Sequence, residues 1–191
     1  MTSEEVLDLF RQSGALIEGH FVYASGRHGR YFLQAARILQ YPETTEKLCT
    51  AIADRFRDDN IQLVVGPATG GIILAYETAR QLGCRAAFTE KEGPEAMAMK
   101  RGFKLERGTR TLIVEDVVTT GGSVKKSVAH LRARKADIAG VAVLADRSKG
   151  EAQFDVRYEP LATIQMDSWE PSECLLCEAQ IPLIEPDDII A

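Results

Sequence analysis

Cysteine and histidine are scarce: four of one and three of the other in 191 residues do not make a disulfide scaffold, and reduced thiols are expected. Positive charge is in deficit, with 23 Lys and Arg against 28 Asp and Glu, a formal charge of −5 and a pI near 5.3. General nucleic-acid affinity depends on neutralising phosphates, so it is not expected here. Long apolar runs are missing as well. Glu4, Glu5 and Asp8 interrupt the first apolar residues, which argues against a signal peptide or a membrane span and for a cytosolic protein. Sequence repeats, low-complexity tracts and interdomain linkers are not evident. Two nucleotide motifs also fail. Gly66 and Gly71 have the outer spacing of a Walker A loop, but Ile72 and Ile73 stand where Lys and Ser or Thr are needed, and no Rossmann glycine pattern occurs.

What is present begins with enough apolar residues, 45%, for one substantial α/β core. Thr2 to Gln12 opens on a Thr-x-x-Glu capping pattern and reads as a helix. His20 to Gln34 reads as two strands or extended arms around a Ser25-Gly26-Arg27 turn. Pro42 starts a helix whose Leu48, Ile52 and Phe56 form a core-facing stripe. Five strands are then expected at Leu63–Val65, Ala86–Phe88, Thr111–Val114, Val141–Leu144 and Leu161–Ile164, with helices at Gly71–Leu82 and Ser123–Arg134. That alternation implies a parallel α/β sheet, whose ligands bind beyond the carboxyl ends of the strands.

The most informative run is LIVEDVVTTGG followed by Ser123. Leu112, Ile113 and Val114 form a short buried strand, ended by the charges of Glu115 and Asp116. Val117 and Val118 lead to Thr119, Thr120, Gly121, Gly122 and Ser123, small residues at a helix start, where unpaired amides and the positive end of the peptide dipoles favour a phosphate. Two adjacent carboxylates would repel a pyrophosphate, so they suit sugar hydroxyls or a hydrated cation. Ribose 5-phosphate satisfies both halves. The plainer alternative is an ordinary capped strand-to-helix turn.

This run resembles the diphosphoribosyl-binding signature of the type I phosphoribosyltransferases. Across nearly its full length the chain is similar to the orotate phosphoribosyltransferases of that family, on FVYASGRHGRYF (Phe21 to Phe32), VVGPATGGIILA (Val64 to Ala75), the signature itself and VLADRSKGE (Val143 to Glu151). The resemblance implies a mostly parallel five-stranded sheet flanked by helices in a single domain, with a small hood from about residues 1–40 and 160–191 and a lid loop at about 89–109. It implies that residues 115–123 bind phosphoribosyl diphosphate (PRPP), with Glu115 and Asp116 on the ribose, and that the Gly66–Gly71 loop faces the pyrophosphate. Arg147 and Thr119 are the implied orotate contacts, Arg147 because a guanidinium matches a carboxylate bidentately. Lys91, Lys100 and Arg101 are the lid candidates for catalytic cations. The alternative for that segment is a solvated hairpin.

The implied reaction moves phosphoribosyl from PRPP to N1 of orotate, with Mg²⁺ held mainly by the substrate rather than by protein ligands, in a homodimer whose lids complete neighbouring sites. Two rivals stay open: a transferase for a purine or other base, and a non-catalytic PRPP-sensing or RNA-binding regulator. The chain also departs from the family pattern. Ala24 and Gly70 stand where many members carry lysine, and Arg27 and Arg30 are candidates to compensate.

Cys49 and Cys84 read as small core residues, whereas Cys174-Leu175-Leu176-Cys177 is half of a zinc motif with no second pair and no histidine near it in sequence. A packed C-terminal arm over Trp169, or a redox-active pair, is therefore expected ahead of zinc. Pro182 and Pro186 imply an extended tail.

Overall fold

The computed structural model describes residues 1–23 and 25–185. Ala24 and Pro186 lie outside them. Helix α1 (Ser3–Gln12) starts at the expected capping box, with the Thr2 amide donating to Glu5 Oε2 at 2.7 Å and the Glu5 amide to Thr2 Oγ1 at 3.3 Å. Its buried Val6 and Phe10 join the main core beside Leu161 and Ala162.

That core covers one face of a six-stranded sheet in the order β5 (Met97–Ala98), β4 (Arg85–Lys91), β3 (Leu63–Pro67), β6 (Arg110–Val118), β7 (Asp137–Asp146), β8 (Arg157–Thr163). All neighbours are parallel except β5, which runs antiparallel to β4. The expected five-stranded sheet therefore gains a sixth, two-residue strand. Met97, Ala98 and Met99 lie within a segment read as loop, and their burial draws it onto the sheet edge.

Strand β6 carries the larger correction. It does not end at Val114. Its ladder with β7 continues through Glu115↔Val143 and Val117↔Ala145 to Val118↔Asp146, so both acidic residues sit inside the strand. Side chains alternate along a strand. Leu112 and Val114 accordingly face the cluster built with α2 (Pro42–Phe56) and α3 (Gly71–Leu82), while Ile113 faces α4 (Gly122–Ala133) through Val124, Val128 and Leu131. Glu115 follows Ile113, and Asp116 follows Val114. The alternation then breaks, since Val117 packs with the first cluster and Val118 with the second, and the two carboxyl groups lie close to each other at the end of the sheet.

A second, antiparallel sheet joins β1 (Leu16–Val22), β2 (His28–Leu33) and β9 (Ser168–Trp169), so residues distant in sequence meet there. The β1–β2 turn closes with the Tyr23 amide donating to Arg27 O and the Gly26 amide to Tyr23 O, each at 2.8 Å. Arg27 crosses to β9, donating to Ser168 O at 2.7 Å and pairing with Glu170. After the one-turn helix α5 (Leu175–Glu178) the chain returns along β1, where the Ile184 amide donates to His20 O at 2.7 Å. Cys49 is fully buried, and burial pushes its thiol up to about 12, whereas Cys84 is only half-buried. Among the described residues no helix is long and apolar enough to cross a membrane.

Candidate active site

The loop after β6 is shaped for an anion. Gly121 has φ +74°, and a Cβ there would come within 2.9 Å of Phe154, so this turn requires glycine. The first i→i−4 bond of α4 runs from the Lys125 amide to Gly121 O at 2.9 Å, which leaves the amides of residues 122–124 ahead of the helical ladder. Thr119, Thr120 and Ser123 are exposed around them. Together with Glu115 and Val117–Val124, the turn of the β4–β5 hairpin lines a cleft of ≈ 250 Å³.

Glu115 closes the inner wall of this cleft and is buried. Burial, reinforced by the nearby Asp116 charge, pushes its carboxyl up to about 9. It is therefore neutral at pH 7 in the free protein, although its Oε1 accepts the Asp116 amide at 3.1 Å. Asp116 accepts the Val117 amide at 2.7 Å and lies against the 66–71 loop. A Cβ on Gly70 would meet Asp116 Oδ2 at 2.4 Å. Glycine at 70 thus brings backbone up to this carboxylate. Gly66 is tighter still, since its Cβ would fall 1.9 Å from Gly71 O. The Ala68–Thr69 peptide is cis, and the Ala68 amide is already committed to Thr89 O at 2.7 Å.

Arg147 begins the loop after β7 and is joined to the neighbouring strand by its amide, which donates to Val118 O at 2.8 Å. Its side chain is half-buried, and among the described residues its buried Nε has no hydrogen-bond partner. Burial lowers the guanidinium pKa, with the Tyr23 hydroxyl opposing that shift. A buried, unpaired guanidinium donor is costly unless a ligand completes it. Arg147 does not line the phosphate cleft itself, but departs from the end of the adjacent strand. Tyr23, whose hydroxyl donates to Tyr31 O at 2.6 Å, lies directly over Gly29, where a Cβ would be 2.1 Å from that oxygen.

The three lid cations separate. Lys91 lines the cleft, whereas Lys100 and Arg101 do not; they pair with Glu92 at 3.8 Å and Glu90 at 3.1 Å. Lys126 was not singled out from the sequence, yet it holds the hairpin turn onto α4 by donating to Pro94 O at 2.8 Å. A basic residue in the first turns of the helix after the phosphate loop was the only available signal. The base of the hairpin is fixed by the buried pair Thr89 Oγ1 and Ser127 Oγ at 2.7 Å.

The histidines that looked remote from the cysteine pair are not remote in space. His20, His28, Cys174 and Cys177 each offer a ligand atom within 4.8 Å of the others, which corrects the reading of half a motif. Sequence distance hid them: β1 and β2 bring the histidines together, and the arm before α5 returns the cysteines to the same place.

Residues 34–172 match the model of the phosphoribosyl transferase domain. A protein of Desulforamulus reducens called orotate phosphoribosyltransferase is 43% identical over 97% of both chains. The crystal structure of orotate phosphoribosyltransferase from Aeropyrum pernix superimposes with a TM-score of 0.70 at 26% identity, covering 83% of this chain and 93% of that one. Adenine phosphoribosyltransferase from Rhodothermus marinus shares the fold, with a TM-score of 0.66 at 20% identity over 84% of this chain and 99% of that one. The fold alone therefore does not choose the base.

Proposed function

The chain belongs to the phosphoribosyl transferase domain family, as a member of its orotate phosphoribosyltransferase branch, and from that premise we propose how its residues carry the transfer of phosphoribosyl from PRPP to N1 of orotate. The observation that carries this reading is Arg147, whose buried Nε has no partner among the described residues, at the end of the strand beside the phosphate loop. A planar carboxylate completes it bidentately; adenine and uracil have no carboxylate to offer.

The 5′-phosphate is received by the leading amides of α4 and the hydroxyls of Thr119, Thr120 and Ser123. Glu115 and Asp116 hold the ribose, Thr119 borders the base, and the 66–71 loop presents backbone to the pyrophosphate. The carboxylate of Asp116 and the threonine hydroxyls are hard oxygen donors compatible with a hydrated Mg²⁺ carried mainly by the substrate. When bound, that ion supplies charge neutralisation for the departing pyrophosphate. As the bond at C1′ stretches, the ribose becomes cationic, and preorganised charge beneath it lowers the barrier. Lys91 faces the cleft from the hairpin and adds positive charge there. Lys100 and Arg101 would have to leave Glu92 and Glu90 to serve a site, in this chain or in a neighbouring copy.

Exposed Ile73 and Tyr76 on α3 support a homodimer, and four free cysteines support a cytoplasmic setting. Formation of orotidine 5′-phosphate, followed by the ultraviolet absorbance of orotate, should depend on both PRPP and Mg²⁺. A chain that leaves orotate unchanged under those conditions overturns the reading.

Gly70→Ala supplies a local test of the sugar site. Its Cβ meets the end of a side chain rather than backbone, so the fold should persist while Asp116 is displaced. PRPP affinity is expected to fall about tenfold, equivalent to roughly 1.4 kcal/mol, with little change in thermal midpoint. Unchanged affinity would remove Asp116 from the ribose.

A further inference from the structure

We infer that His20, His28, Cys174 and Cys177 form a structural zinc site, separate from the catalytic cleft, that ties the C-terminal arm to the β1–β2 hairpin.

The geometry resembles a coordination shell more closely than a hydrogen-bond network. Zinc bonds of about 2.0–2.1 Å to nitrogen and 2.3 Å to sulfur give a tetrahedron with edges of about 3.3–3.8 Å. His20 Nε2 lies 3.1 Å from His28 Nδ1, 3.4 Å from Cys174 Sγ and 3.8 Å from Cys177 Sγ, and Cys177 Sγ lies 3.3 Å from His28 Nδ1. Three neighbours thus converge on His20 Nε2. The other ring nitrogen, Nδ1, is 2.7 Å from Ile181 O, a contact that requires Nδ1 to carry the proton. Nε2 is then left with a single lone pair, which cannot satisfy three donors. The same lone pair pointing at a central ion satisfies all four groups, and the backbone carbonyl on the far nitrogen is the usual partner of a metal-bound imidazole.

Chemistry and burial agree. His20, His28 and Cys174 are buried and Cys177 is exposed, so an ion could enter from the Cys177 side. Two thiolates and two neutral imidazoles cancel the charge of Zn²⁺, and binding releases the two thiol protons to solvent. Mixed sulfur and nitrogen ligands in a tetrahedron favour zinc over Mg²⁺, which requires octahedral oxygen. The cysteines have the C-x₂-C spacing of structural zinc sites, and His20 and His28 are brought side by side by the hairpin. The site immediately adjoins Arg27 and the strand pairing of His28 with Trp169, so it would brace the hairpin whose turn carries Tyr23.

The test uses the full chain without an affinity tag, purified from zinc-supplemented cells, with elemental analysis, thiol counting and cobalt substitution of the reduced protein. About one zinc per chain is expected. The cobalt form should show the visible absorption of tetrahedral cobalt together with a thiolate charge-transfer band. Cys177→Ser, at an exposed position, should keep the native circular dichroism and lose most of the bound metal, whereas Cys84→Ser should lose none. A reduced, folded chain that takes up neither metal would overturn the assignment, as would a cobalt spectrum indifferent to Cys177→Ser. A Cys174–Cys177 disulfide in metal-free protein as isolated would also overturn it and establish a redox pair.

Discussion

Arg147→Ala is expected to lower kcat/KM for orotate by about two to three orders of magnitude while PRPP affinity stays nearly unchanged. Hydrogen bonds to charged groups contribute about 1.5–3 kcal/mol each, and a bidentate guanidinium–carboxylate pair forms two that share one desolvation cost. Losing both corresponds to about 3–4 kcal/mol in the transition state relative to free enzyme and orotate. Arg147→Lys should restore little, since an ammonium is a point charge without the planar fork. Steady-state kinetics with varied orotate, alongside calorimetric titration of PRPP, separate the two effects. Unchanged orotate kinetics would remove Arg147 from the base site, and a parallel loss of PRPP affinity would make its role structural.

Glu115→Gln is expected to move stability and activity in opposite directions. The folded carboxyl titrates at about 9, above its ordinary 4.5, so the native state holds a proton that the unfolded chain releases. The associated stability is complete below about pH 4.5 and is lost as pH rises towards 9. Glutamine has no such titration. At pH 8 the variant should therefore be more stable than the parent by a few kcal/mol, or about 5–10 °C in thermal midpoint for a chain of this size, with the gap closing towards pH 5. PRPP use should meanwhile fall at least about tenfold, because the carboxyl can ionise when the sugar hydroxyls arrive to donate to it, whereas the amide cannot. Thermal unfolding across that pH range is the check. A gap independent of pH would show that the carboxyl is not held neutral in the folded protein.

Much of this site was legible because its signals are local. An apolar run, two acids, two threonines, two glycines and a serine describe a strand, a turn and a helix start within about a dozen residues, and phosphate chemistry follows from that junction. The end of the strand was less legible. Charge at Glu115 and Asp116 looks like a terminus, but β7 extends beside them and the ladder continues to Val118. Pairing with a neighbour prevailed over residue type, as it often does in sheets. That difference has a chemical consequence, since the ladder with β7 fixes the backbone of both acids where a loop would have left it loose.

The hairpin at the sheet edge and the His–Cys cluster were hidden for another reason. Lys126 reaches Pro94 across 32 positions, and Cys174 approaches His20 across 154. No periodicity encodes such meetings. They exist only after β4–β5 folds back on α4 and the C-terminal arm closes over the β1–β2 hairpin. The lid candidates show the same limit, because Lys91, Lys100 and Arg101 are equivalent as residue types and only folding distinguishes the one that faces the cleft.

The central claim is that one ligand spans both ends of this site: main-chain amides hold its phosphate, the two acids its sugar, and Arg147 its base carboxylate. A crystal structure with orotidine 5′-phosphate tests it most directly. The expected density places the phosphate among the amides of residues 120–124, the ribose hydroxyls at Glu115 and Asp116, and the carboxylate against both edges of the Arg147 guanidinium. A phosphate bound elsewhere, or a base carboxylate turned to solvent while Arg147 stays unpaired, would contradict it.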